Sequence, residues 1–173
     1  MEVVALAYVV RVKAGLRLSL FEPSAAPFGP PAGIAVAALL VLGIEAWPAI
    51  FLGALVVNLT TAGSIGTSFC IGAGNTLEAI CGAWLGNRYA SGVRVFDRAQ
   101  DVFKFALIAV VSTAISPALG PTSLALAGFV PWANFGRVWF PGWVGDLTGL
   151  PGRGPLARLW RGWPRAGGAG RAR

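Results

Sequence analysis

The sequence predicts an all-α, polytopic integral membrane protein: a bundle of about six to eight transmembrane or half-membrane helices. Three observations carry that expectation. The 173 residues are 55% apolar and 12% charged, with a mean hydropathy of +0.68, and the charged fraction is about half that of an ordinary soluble domain. Apolar stretches recur along the chain at 3–20, 32–43, 47–62, 65–87, 102–118, 120–131 and 135–150, separated by short breaks at Pro, Gly or charged residues. At roughly 20 apolar residues per crossing, these stretches use nearly all of residues 1–150. No soluble catalytic domain fits beside them.

The first stretch, 3–20, follows Glu2 and is interrupted by Arg11, Lys13 and Arg17. That pattern reads as a membrane helix with interfacial or protein-facing charges rather than a signal peptide. The stretches 32–43 and 120–131 are too short to cross alone and are expected as tilted half-helices or re-entrant pieces. Stretch 47–62 ends in Asn58-Leu59-Thr60, formally a glycosylation sequon, but its apolar setting argues against that use.

Stretch 65–87 is the most informative. Projected at 100° per residue, it places Ser68, Gly72, Asn75, Glu78, Ala79, Gly82 and Gly86 along one line, with Phe69, Cys70, Ala73, Leu77, Ile80, Cys81 and Trp84 opposite. One face is small and polar and the other large and apolar, the inverse of a soluble amphipathic helix. Gly72, Gly82 and Gly86 are expected as helix-packing positions, since small residues let backbones approach closely in a bilayer. Glu78 is a carboxyl group in the middle of this apolar helix. A charge there is costly and needs a partner, a proton or a ligand. Its structural alternative is a hydrogen bond to a neighbouring helix, with Asn75 or Asn58 as the donor. Cys70 and Cys81 are separated by about 16 Å of helix, beyond the ~7 Å reach of a disulfide, so they do not pair with each other.

The segment 87–104 carries Arg88, Arg94, Arg98 and Lys104 against Asp97 and Asp101. It is the one convincingly polar loop, and the positive-inside rule places it in the cytoplasm. The i, i+4 spacing of its two acids predicts a helix that begins before the membrane, with acid in its first turn. The last stretch, 135–150, holds a second intramembrane acid, Asp146, preceded by Trp139 and Trp143 four residues apart. Those aromatics line a pocket beside the acid or form an interfacial belt. Candidate ligand-binding or signalling residues are therefore Asn58, Asn75, Glu78, Trp139, Trp143 and Asp146.

Several function classes are closed. The chain has no histidine, which excludes imidazole as phosphoacceptor, metal ligand or base. Two lone acids assemble no nucleophile and base, so no catalytic residue, metal site or cofactor is expected. Most of the formal charge of +7 resides in the tail: residues 151–173 hold six Arg and no acid, whereas residues 1–150 hold eight Lys/Arg and seven Asp/Glu. Gly72-Ala73-Gly74 lacks the third glycine of a dinucleotide fingerprint, and the basic tail with Trp160 and Trp163 reads as disordered or interfacial, not as a nucleic-acid binder. Expected partners are membrane lipid and a membrane or signalling protein, with a homo-oligomer open and the ligand unknown. A small transporter subunit or channel is the competing reading, because short broken helices and intramembrane acids also mark solute pathways.

Taken in order, PPAGIAVAALLVLG, WPAIFLGALVVNLTTAG, IGAGNTLEAICGAWLGNRY, FDRAQDVFKFALIA and PWANFGRVWFPGWVGDLTGL resemble the bacterial membrane-associated sensor domain of MASE type 1, from about residue 7 to residue 150. The resemblance implies a multi-pass inner-membrane input domain, which in the family precedes a histidine kinase, diguanylate cyclase or phosphodiesterase module. The family's recurrent positions fall on Pro30, Pro31, Gly33, Trp47, Pro48, Asn58, Gly74, Asn75, Glu78, Gly82, Trp84, Asp97, Trp132, Trp143, Gly145 and Asp146. Two departures stand out. Phe28-Gly29 replaces the Trp that usually precedes the Pro-Pro pair, and Pro151-Gly152 interrupts the apolar run that usually follows Gly-Asp. The expectation is therefore a sensor domain over 1–150 lacking its output module, with 151–173 a tail arising from truncation or a reading-frame change.

Overall fold

A computed structural model of the chain describes residues 29–61 and 64–149. The helix expected at 3–20 and the tail at 151–173 lie outside the described residues. Within them run six α-helices: α1 Gly29–Leu42, α2 Trp47–Thr61, α3 Ile65–Tyr89, α4 Ala99–Ser112, α5 Ile115–Leu126 and α6 Phe135–Gly149. Short 3-10 turns occupy Ile44–Ala46, Gly92–Asp97 and Trp132–Asn134.

The class is all-α, as the sequence predicts, but the expected six to eight transmembrane or half-membrane helices are not found. Among the described residues one helical stretch, Ala99–Leu126, formed by α4 and α5 in succession, is long and apolar enough to cross a membrane. Length accounts for most of the difference. Helices α1, α2 and α6 have 14, 15 and 15 residues, or about 21–23 Å against a hydrocarbon core of ~30 Å. Helix α3, at 25 residues, spans about 37 Å, but Asn75, Glu78 and its many Gly and Thr residues dilute its apolar character.

Local chemistry sets the boundaries. Helix α1 ends at Gly43, whose φ of 91° suits glycine. Ser64 caps α3 by accepting the Thr67 N–H at 3.1 Å. Helix α5 closes in a Schellman turn: the Gly128 N–H reaches the Ala125 carbonyl, the Phe129 N–H reaches Leu124, and Gly128 takes φ 79°. The helix after the basic loop was expected to include Asp97; it begins two residues later, at Ala99, with Arg98 extended as its N-cap. Asp101 does fall in its first turn, accepting from the Ser91 hydroxyl at 2.7 Å and lying 3.7 Å from the Lys104 ammonium. The break expected between 118 and 120 lies instead at Thr113–Ala114. Pro117 does not interrupt α5 because it sits in the first turn, where a missing N–H costs little.

Helix α3 is the axis of the fold, packed upon by α1, α2, α4 and α5, while α6 leans on α1 and α5. The core joins Val36 and Leu39 of α1, Ile50 and Ala54 of α2, Ala79 and Ala83 of α3, and Phe105, Ile108 and Ala109 of α4. The outer surface is apolar as well. Phe69, Leu77 and Trp84 of α3 are 55%, 49% and 57% exposed, and Phe103, Leu107 and Val111 form an exposed stripe at four-residue spacing along α4. Large side chains outside and small or polar ones inside is the arrangement a lipid environment selects, since lipid solvates Leu and Phe while polar groups must find partners within the protein.

Candidate functional site

The inner face of α3 buries Ser68, Gly72, Gly74, Thr76, Glu78, Ala79, Gly82 and Gly86. Glycine makes that face narrow enough for four neighbours. A Cβ on Gly72 would sit 3.5–3.6 Å from Phe51 and Leu55 of α2, and one on Gly86 would sit 3.4 Å from Phe105 of α4 and 3.7 Å from Leu40 of α1. The approaches at Gly74 and Gly82 are tighter. Their Cβ positions would meet Leu119 Cβ at 3.2 Å and Val36 Cγ2 at 3.1 Å, with Ser116 Cα 3.4 Å from the first and Ser112 Oγ 3.4 Å from the second. Helix α3 is thus held against the α4–α5 break on one side and α1 on the other.

Between those two glycines projects Glu78, 2% exposed. Its Oε1 has no hydrogen-bond partner. The N–H and hydroxyl of Ser116, in the first turn of α5, approach the same carboxyl group, which also interacts electrostatically with Asp146 of α6. One turn before Glu78, Asn75 accepts the Ser116 hydroxyl through Oδ1 at 2.5 Å. The result is a polar knot in an apolar bundle: Asn75 and Glu78 from α3, Ser116 from α5 and Asp146 from α6. Nearby hydroxyls are satisfied locally, Thr76 on the Gly72 carbonyl at 2.7 Å and Thr113 on Ala109 at 2.6 Å, the usual recourse of a hydroxyl inside a helix. Glu78 has no such recourse, because its acceptor oxygen needs a donor from elsewhere.

The structure brings together three of the six candidates, Asn75, Glu78 and Asp146. Trp139 and Trp143 are on the same helix as Asp146 and stack on each other, with centroids 5.6 Å apart. The Trp143 indole donates to the Val110 carbonyl of α4 at 3.3 Å. That carbonyl lies where the helix tightens, since the Ala114 N–H turns to Val111. Asn58 is elsewhere: its amide donates to Ala54, one turn back in α2, at 2.8 Å. Sequence reasoning missed Ser112 and Ser116. Their signal was present as two small hydroxyl residues four apart in an otherwise apolar run, the same spacing by which the glycines of α3 were found. Among the described residues, no three His, Cys, Asp or Glu side chains group as they would around a metal ion.

With this geometry in view, comparison with known proteins gives one result: the model of the MASE1 family matches residues 3–166. No curated protein and no solved structure matches the chain.

Proposed function

The chain belongs to the MASE1 family of membrane-associated sensory input domains, which are themselves non-catalytic, and from that premise we propose that the polar knot at Glu78 and Asp146 is where the input is sensed. The observation that carries this reading is the Glu78 carboxyl group, buried in the centre of the axial helix with one oxygen unpartnered. A group in that state stores free energy that any change in occupancy can release, because an unsatisfied buried acceptor is costly. It also belongs to no single helix pair. Glu78 is on α3, Ser116 on α5 and Asp146 on α6, so a change there alters the balance among three helices at once.

The mechanism is a population shift. Two arrangements of α6 against α3 and α5 exchange, and a ligand or partner that interacts differently with them moves the equilibrium. The α4–α5 break at Thr113–Ala114 supplies a place where such a change is absorbed without disturbing α4. The domain is membrane-associated, and we propose that it crosses the inner membrane more than once with residues 87–104 in the cytoplasm. Arg88, Arg94, Arg98 and Lys104 support that orientation. The end of α3 and the start of α4 flank this loop, so motion at Glu78 has a direct path to a membrane or signalling protein on that side, of the kinase or cyclic-di-GMP type.

The test is a distance measurement. Spin labels at Arg88→Cys and Thr148→Cys, with Cys70 and Cys81 replaced by Ser, report the separation of the α3 and α6 ends in lipid nanodiscs. Glu78→Gln and Asp146→Asn are each expected to redistribute population between two distances. A single distance distribution, identical in the parent and both variants, overturns the reading.

A further inference from the structure

Among the described residues, the interior around the pair of acids contains no compensating base. The elements packed around it can be taken in turn. Helices α1, α2 and α5 carry no titratable residue along Ala32–Leu42, Trp47–Thr60 or Ile115–Leu126. Helix α4 carries Asp101 and Lys104, both in its first two turns and engaged with each other. Helix α3 adds Cys70, Cys81, Arg88 and Tyr89; Arg88 is ten residues from Glu78, about 15 Å along the helix, and is exposed beside Tyr89. Helix α6 adds Arg137, exposed and nine residues from Asp146, about 14 Å. Among the described residues, two carboxyl groups thus share a low-dielectric interior with no ammonium or guanidinium within reach.

We propose that Glu78 and Asp146 hold a small monovalent cation, a proton or an alkali-metal ion, between α3, α5 and α6. This deepens the sensing assignment and rests on it only for its consequence, since the site binds whether or not occupancy moves the helices. The donor set suits the class. The unpartnered Glu78 Oε1 and the Asp146 carboxyl are hard oxygen acceptors, and the Asn75 Oδ1, which takes the Ser116 hydroxyl, is a third of the same kind. Charge balance is met by two protons or by one proton and one alkali ion. A divalent ion balances the charge as well, but it demands six or more oxygens in fixed geometry and surrenders its water reluctantly. Two carboxyl groups in an interior where Glu78 is 2% exposed, with no third acid grouped beside them among the described residues, do not provide that shell.

The experiment is thermal unfolding of the full chain in nanodiscs, followed by tryptophan fluorescence. Ionic strength is held constant while N-methylglucamine is exchanged for Na+ or K+, in separate series at several pH values. A cation bound only by the folded state raises Tm with concentration, by about 5–10 °C at a hundredfold excess over its dissociation constant. A rise with Na+ or K+ at fixed pH assigns the alkali ion. A rise with acidification, indifferent to Na+ and K+, assigns the proton. Either response must vanish in the Glu78→Gln/Asp146→Asn double variant, which keeps the size of both side chains. The proposal is overturned if the wild-type chain shows neither response, if the double variant retains it, or if only Mg2+ or Ca2+ stabilises. Spin-label distances that stay fixed while Tm responds leave the cation site standing and remove the sensing role.

Discussion

Gly74 and Gly120 respond differently to substitution by alanine, and the contrast tests the packing around Glu78. Both lie inside helices, so each gains about 1 kcal/mol of helix propensity when Cβ is added. At Gly120 of α5 the new methyl would sit 3.6 Å from Ile71 Cγ1, an ordinary van der Waals contact, but it also crowds the ring of Pro121, which offsets the gain. At Gly74 of α3 it would meet Leu119 Cβ at 3.2 Å, Ser116 Cα at 3.4 Å and the Ser116 carbonyl at 3.5 Å. Two of those atoms are backbone and the third is fixed to it, so α5 as a whole must retreat. Overpacking of that kind costs about 1–3 kcal/mol, and the shift also loosens the Ser116 to Asn75 hydrogen bond, about 1 kcal/mol more. Set against the propensity gain, Gly74→Ala is expected to destabilise by about 1–3 kcal/mol while Gly120→Ala is near neutral. For a chain of this size that separates their melting temperatures by roughly 2–12 °C. Thermal unfolding in nanodiscs, with both variants measured against the parent, decides it. Equal shifts in the same direction would refute the close α3–α5 approach and with it the proximity of Ser116 to Glu78.

Three further outcomes follow from individual contacts. Leu77→Arg places a charge on a half-exposed position, where a soluble protein would tolerate it; if that face meets lipid, insertion is impaired by about 2.5–3.5 kcal/mol and the membrane-fraction yield falls, whereas unchanged yield would place the α3 outer face in water. Trp143→Phe keeps the ring stacked on Trp139 but removes the donor to Val110, with an expected loss of about 0.5–1.5 kcal/mol by thermal unfolding; a loss no larger in Trp143→Leu would show that the indole N–H, not the ring, carries the contact. Asp101→Asn retains an acceptor for Ser91 and loses only the Lys104 pair, whose ammonium is largely exposed. It should cost under about 1 kcal/mol, against about 1–2 kcal/mol for Asp101→Ala, which also removes the acceptor of the Ser91 hydroxyl.

Much of the fold was legible because periodicity survives the change of solvent. The stretches 32–43, 47–62, 65–87 and 135–150 match α1, α2, α3 and α6 closely, since Gly43 and the Ser64 cap are punctuation that sequence displays. The inner line through Ser68, Gly72, Glu78, Ala79, Gly82 and Gly86 is the buried line of α3, because glycines at four-residue spacing have few other uses in an apolar helix. The break within 102–131 was misplaced because proline reads as an interruption, whereas Pro117 is accommodated in the first turn of α5 and the actual tightening occurs at Thr113–Ala114, which carry no conspicuous residue. Ser112 and Ser116 were overlooked for a related reason: small hydroxyls look unremarkable in sequence until a carboxyl group from another helix is placed beside them. Asn58 illustrates the reverse error. It is conspicuous in an apolar run, yet its amide is satisfied by its own helix at Ala54.

The correction to the number of apolar spans and the burial of Glu78 have a single physical origin. A helix that spans lipid alone must be apolar on every side, so a hydropathy criterion finds it; Ala99–Leu126 qualifies. A helix surrounded by other helices can surrender its inner face to Gly, Thr, Asn and Glu, as α3 does, because those groups meet protein instead of lipid. Each polar residue so admitted lowers the average hydropathy of α3 while adding to what its buried face can bind. The feature that removes α3 from a count of apolar spans is therefore the same one that places Glu78 inside the bundle. In α3 the two requirements meet at Glu78, 2% exposed, with Phe69, Leu77 and Trp84 turned outward on the opposite face.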